Sequence, residues 1–205
     1  IIGVSSGGAV FASGLLAIAS LAGVERSYGF LKWGTALAAF IGALLTTLLV
    51  YSLSRVQGKT VVVNLILVGV AINAMAGGFV TLFSFIGGTM AQSQVVFWQL
   101  GSLAGAGWSS AVITLIITVI GIVIACLCAP KMDLLALGEN QARHLGVNVE
   151  RFRLCVIILV AALVGVGVAF AGVIAFVGLI VPHAIRLIIG PQHKWLLPTS
   201  AFGGA

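Results

Sequence analysis

The sequence predicts an all-α fold, a polytopic bundle of transmembrane helices, and three observations carry that prediction. Of its 205 residues, 61% are hydrophobic and only 7% charged, where a soluble domain carries about 25% charged residues. Mean hydropathy is +1.26. Charge-free runs extend well beyond the roughly 18 residues that mark a membrane-crossing helix. The 27 glycines follow no collagen-like period, and small residues let helix backbones approach closely in lipid.

The predicted spans are residues 1–20, 33–54, 61–86, 109–129, 154–171 and 173–189, with a seventh beginning near Leu196. In the first, Ser5, Ser6, Gly7, Gly8, Ser13 and Gly14 stand close together. Small residues four apart, such as Gly3 and Gly7 or Ala9 and Ser13, read as close helix packing. In the third, Gly69, Asn73, Gly77, Thr81 and Ser84 share about a third of the helix circumference, with Asn64 opposite. A polar stripe inside a membrane faces protein or water, so it lines a pathway or packs helices around an Asn hydrogen bond. From Leu154 to Ile185 no charge appears for 32 positions, too many for one span of about 20, and Gly172 is placed at the reversal. Pro182 kinks the last full span and frees a carbonyl. His183 either bonds that carbonyl or lines the pathway, and Arg186 snorkels to the inner surface.

Charge sets the orientation. With Glu25, Arg26 and Lys32 outside, the alternation puts Arg55, Lys59, Lys131, Arg143, Arg151, Arg153, Arg186 and Lys194 inside, which is eight of ten basic residues. The positive-inside rule selects that arrangement and accounts for the net charge of +6 without nucleic acid. The outer connection 87–108 is uncharged and amphipathic, and predicts a short interfacial helix anchored by Trp98 and Trp108. Cys126, Cys128 and Cys155 lack zinc-site spacing and read as packing residues.

Residues 130–153 form the one long inner loop. Pro130 is placed as the stop of the preceding span. Glu139 and Arg143 form an i,i+4 pair on a short helix, Gly146 ends it, and Asn148 caps a second helix running into "VERFR". Leu137, Ala142, Leu145 and Val147 leave this knob partly apolar, and such a surface implies a partner. Glu139 and His144 are five apart, not the spacing of paired helical ligands; neither a metal nor another cofactor is expected.

The segment "LLALGENQARHLGVNVERFR" resembles the coupling loop of FecCD-type permeases, the membrane subunits of ATP-binding cassette (ABC) importers for ferric siderophores, heme and cobalamin. "IIGVSSGGAVFASG" is similar to that family's third span and "VFWQLGSLAG" to its outer short helix. "GVIAFVGLIVPHAIRLIIGPQHKWLLPTSAFGGA" is similar to its eighth span with the following inner turn. The resemblance implies an internal piece of a ten-span permease, one transmembrane domain over residues 1–205, in the bacterial cytoplasmic membrane. It implies that Gly138, Glu139, Ala142, Arg143, Leu145 and Gly146 dock on a cytoplasmic ABC ATPase, and that the ATP site belongs to that partner. It implies a second permease subunit and an external substrate-binding protein, periplasmic or lipid-anchored. The 61–86 span then lines the pathway, with a cytoplasmic gate near Val62, Val63 and Asn64. An ion-coupled transporter needs ionisable groups at mid-membrane, yet all four acids, Glu25, Asp133, Glu139 and Glu150, are placed in loops. An intramembrane enzyme needs a paired Asp, a Ser/His pair or a metal motif, and the spans carry none.

Overall fold

The computed structural model describes residues 3–22, 28–56, 59–103, 107–174 and 176–204. Glu25 and Arg26 lie outside the described residues, as do the side chains of Lys32 and Trp98. In chain order the elements are α1 (Val4–Leu21), α2 (Tyr28–Leu53), β1 (Arg55–Val56), β2 (Lys59–Thr60), α3 (Val62–Ile86) and α4 (Gly88–Leu100). They continue as α5 (Trp108–Ala136), α6 (Glu139–His144), α7 (Val149–Ala171), α8 (Val177–Ile189) and α9 (His193–Gly203). Among the described residues, α1, α2, α3, α5 and α7 are long and apolar enough to cross a membrane. The protein is a multi-pass helical membrane protein.

Helix α1 is the hub, packed on α2, α3, α4 and α7. Its seam with α2 is built from glycine. A Cβ at Gly42 would lie 2.6 Å from the Gly7 carbonyl and 2.7 Å from Phe11 Cβ. The two backbones therefore touch, the arrangement that small residues permit where lipid supplies no hydrophobic drive. Ala12, Ala36, Ala39 and Ala169 continue the seam towards α7, where Trp33 meets Phe170 edge to face at 5.7 Å. Gly42→Leu is expected to cost at least the ~1–3 kcal/mol of an overpacked core, read as a lower unfolding temperature in detergent. Among the five long apolar helices α5 is the least buried. Only 6% of its most apolar stretch is buried, against 44% for α1, and Leu115, Ile116, Ile120 and Leu127 stand exposed.

Hydrogen bonds define the two ends of the bundle. At one, the outer end by the charge count, Ser20 Oγ donates to the Gly87 carbonyl at 2.8 Å and joins the last turns of α1 and α3. From there α4 does not lie flat as the interfacial helix the sequence predicts but runs back along α1 and α3, with Val95 buried among Ala9, Leu16 and Val80 and Gln99 level with Asn73 and Ser6. At that depth Ser102 N–H donates to the Ala171 carbonyl at 2.8 Å. At the other, the inner end by the same count, lie the β1–β2 hairpin, α6 and the start of α7, and the segments that the charge count groups on one side share this end.

Three further local expectations are corrected. Pro130 does not stop its span: α5 passes through it to Ala136. The missing N–H frees a single carbonyl, and the good helix formers after it, "KMDLLA", carry the helix on. The last full span is not helical from residue 173. Gly172 (φ 74) does reverse the chain after α7, but Phe176 at φ 67 delays α8 to Val177. Its 13 residues reach only about 20 Å at about 1.5 Å each. Lastly, "VERFR" is no separate helix but the first turns of α7.

Candidate functional site

The inner site is built by caps. Beyond α5, Gly138 takes φ 121 and ψ 146, a region closed to side-chain-bearing residues, and turns the chain into the six-residue α6. At the far end Gly146 N–H donates to the Arg143 carbonyl and Val147 N–H to the Ala142 carbonyl, each at 3.0 Å. With Gly146 at φ 83, this is a Schellman closure. Asn148 Oδ1 then accepts the Arg151 N–H at 3.2 Å, capping α7. One short helix is thus held between two fixed turns. Ala142 is wholly buried beneath it, while Leu137 and Leu145 stand 64% and 63% exposed, beside exposed Arg143 and His144.

Its ionic partner differs from the expected one. Glu139 pairs with Arg153 on α7, and Arg143 makes no ion pair among the described residues. An exposed i,i+4 pair is worth only about 0.3–0.5 kcal/mol. The Arg153 side chain, 12% exposed, offers a planar fork with less water to displace. The same guanidinium donates through Nη1 to the Thr60 carbonyl at 2.9 Å and lies 3.5 Å from Glu150 Oε1. Glu150 accepts the Thr60 N–H at 3.1 Å and the Thr60 hydroxyl at 2.8 Å. A second tie joins α5 to α9: Asp133 Oδ1 accepts the His193 N–H at 3.0 Å and lies 2.6 Å from His193 Nδ1. It satisfies one of the orphan donors of a helix start. Asp133, Glu139 and Glu150 thus sit in helical end turns rather than loops, a correction that leaves each of them near the inner end. Asp133→Asn weakens the acceptor and is expected to loosen α9 by about 1 kcal/mol, measured as faster amide exchange over residues 193–196.

The membrane part holds a cavity of about 310 Å³ between α1, α3 and α4, lined among others by Ser5, Ser6, Asn73, Gly77, Gln99 and Val173. The structure therefore divides the expected stripe. Asn73 and Gly77 line the cavity, and Gly69 is buried. Thr81 is exposed with its hydroxyl donating to the Gly77 carbonyl at 2.9 Å, and the Ser84 hydroxyl donates to the Val80 carbonyl at 2.7 Å. Ser5 and Ser6, read as packing residues, face the cavity instead. Gln99 escaped the sequence reading, although it is a polar side chain in the last turn of the amphipathic α4. Val173 belongs to the extended stretch before α8; non-helical backbone at membrane depth is tolerated where it lines a cavity. Val62 and Val63 are exposed, Asn64 is half-buried, and all three lie in the first turn of α3, which starts two residues after Thr60. His183 is exposed and makes no hydrogen bond among the described residues, so the carbonyl freed by Pro182 is not bonded by it.

Known proteins resemble this chain. The hemin transport system permease protein HmuU of Yersinia pestis is 41% identical over 167 residues, covering 82% of this chain and 50% of that protein. The cobalamin import system permease protein BtuC of Halobacterium salinarum is 36% identical over 204 residues, covering 100% of this chain and 53% of its own. The chain spans about half the length of these relatives. A solved inward-facing conformation of a metal-chelate type ABC transporter superposes with a TM-score of 0.85 at 30% identity, over 99% of this chain and 62% of that one. The FecCD transport family matches from the first residue to the last, 1–205. By that match the chain belongs to the FecCD transport family.

Proposed function

We propose that the chain is the translocating part of an ABC importer permease in the bacterial cytoplasmic membrane, moving a bulky metal chelate, heme or cobalamin inward. The observation that carries the reading is α6. A short helix held between the Gly138 turn and the Schellman closure at Gly146 stands at the inner end, with Ala142 buried on the bundle and Leu137, Arg143 and Leu145 facing out. Gly138, Glu139, Ala142, Arg143, Leu145 and Gly146 form the knob that a cytoplasmic ATPase holds, and the ATPase supplies the hydrolysis. The cavity flanked by Asn73 and Gly77 belongs to the cargo path, with Gly69, Thr81 and Ser84 along the same helix and Val62, Val63 and Asn64 at its inner gate. A second permease subunit completes the path, and an external binding protein delivers the cargo. The path binds weakly, because a tight site at membrane depth would hold its cargo. Relatives that carry hemin and cobalamin support the cargo class. The test is ATP-dependent uptake by the full-length permease with its ATPase in proteoliposomes, offered labelled hemin, a ferric hydroxamate siderophore and cobalamin in competition. Saturable uptake of one, chased by itself, is expected; ATP-independent uptake driven by an ion gradient would contradict the reading.

A further inference from the structure

Arg153 holds three partners from three parts of the chain: Glu139 on α6, Glu150 in its own first turn, and the Thr60 carbonyl at the end of β2. Thr60 is 5% exposed, and its N–H, carbonyl and hydroxyl are all taken up by Glu150 and Arg153. It leaves the residue no freedom to turn. Two residues later α3 begins at Val62, its cap at Val61 without a side-chain bond, so the position of Thr60 sets where α3 starts. The Val61 N–H bonds back to the Ser54 carbonyl at 3.4 Å, closing the hairpin behind it. Helix α6 packs on α5 and α7, and Arg153 carries its position on to the hairpin.

We infer that Arg153 is a positioning residue that relays displacement of α6 to the inner end of α3 through Thr60. The inference rests on the docking role proposed for α6. A planar fork can hold an acid on one arm and a carbonyl on the other at a fixed separation. The link is therefore stiff in both directions. A lysine ammonium has three donors but no planar fork to fix the separation of the two acceptors, so its link between Glu139 and Thr60 is looser.

The experiment uses the full-length permease with its ATPase in lipid nanodiscs, spin-labelled at Asn140→Cys and Val63→Cys with other accessible cysteines replaced. Distances are measured without nucleotide and with ATP plus vanadate. With Arg153 present, the short within-subunit 140–63 distance is expected to stay a narrow population in both states, set apart from the longer between-subunit distances. In Arg153→Gln the ATPase still co-purifies and the distribution broadens on nucleotide binding, because α6 moves and α3 does not follow. Arg153→Lys, which keeps the charge and the fold, is expected to show the same broadening and serves where the Gln variant inserts poorly. An unchanged narrow population in both variants would overturn the relay, and so would loss of the ATPase from either one, which would put Arg153 on the docking surface. If the unmodified permease retains no ATPase, it is the docking role that fails.

Discussion

Gly146→Val should leave the permease inserted and abolish coupled uptake. Gly146 sits at φ 83 with nothing within 4 Å of a Cβ built on it, so the penalty is conformational rather than steric. A β-branched residue in the left-handed region costs about 1–3 kcal/mol. The cheapest escape is to open the two closing bonds from Gly146 and Val147, which releases Leu145 and the end of α6 from their fixed direction. Since about 1.4 kcal/mol is tenfold in an equilibrium, ATPase association should weaken by about tenfold or more. The spans do not depend on this turn, so expression should hold. Expression, ATPase co-purification and uptake are measured together on the one variant. Gly146→Asn, which tolerates the left-handed region better, should recover most of the loss.

Gly77→Trp should bring uptake to background while sparing both insertion and ATPase binding. Gly77 is exposed, lines the cavity, and a Cβ there meets nothing within 4 Å. The bundle therefore has no packing reason to reject a larger residue. An indole, the bulkiest of side chains, would project from this position into a space of only about 310 Å³. Gly77→Ala adds one methyl to open space and should transport nearly as the unmodified protein does. Equal uptake by the Trp variant would show that this face of α3 is not on the path.

The parts of the molecule legible in the sequence are those whose cause is local. Long apolar runs bounded by charge place α1, α2, α3 and α7 within a few residues, because lipid demands both length and internal hydrogen bonding. Gly146 and Asn148 are read correctly as caps because capping depends on a handful of neighbouring atoms. What escaped depends on distant partners or on unusual backbone. Glu139 has an inviting neighbour at Arg143, yet the fold brings Arg153 across fourteen positions, and a less hydrated guanidinium wins. Pro130 carries a breaker's signal that the following helix formers override. The delayed start of α8 rests on Phe176 at positive φ, which no sequence rule predicts for a bulky residue. Ser5, Ser6 and Gln99 come together only once α1, α3 and α4 are assembled.

If α6 is a cytoplasmic knob held by an ATPase, that partner must control access to Asn140. Asn140 is exposed on α6, so a cysteine there can react without disturbing the buried Ala142. The full-length permease carrying Asn140→Cys is placed in right-side-out and inside-out vesicles, with and without its ATPase, and treated with an impermeant thiol reagent. Labelling is expected only in inside-out vesicles, and bound ATPase should protect the site. Labelling from the outer face, or equal labelling with and without a bound ATPase, would contradict the account.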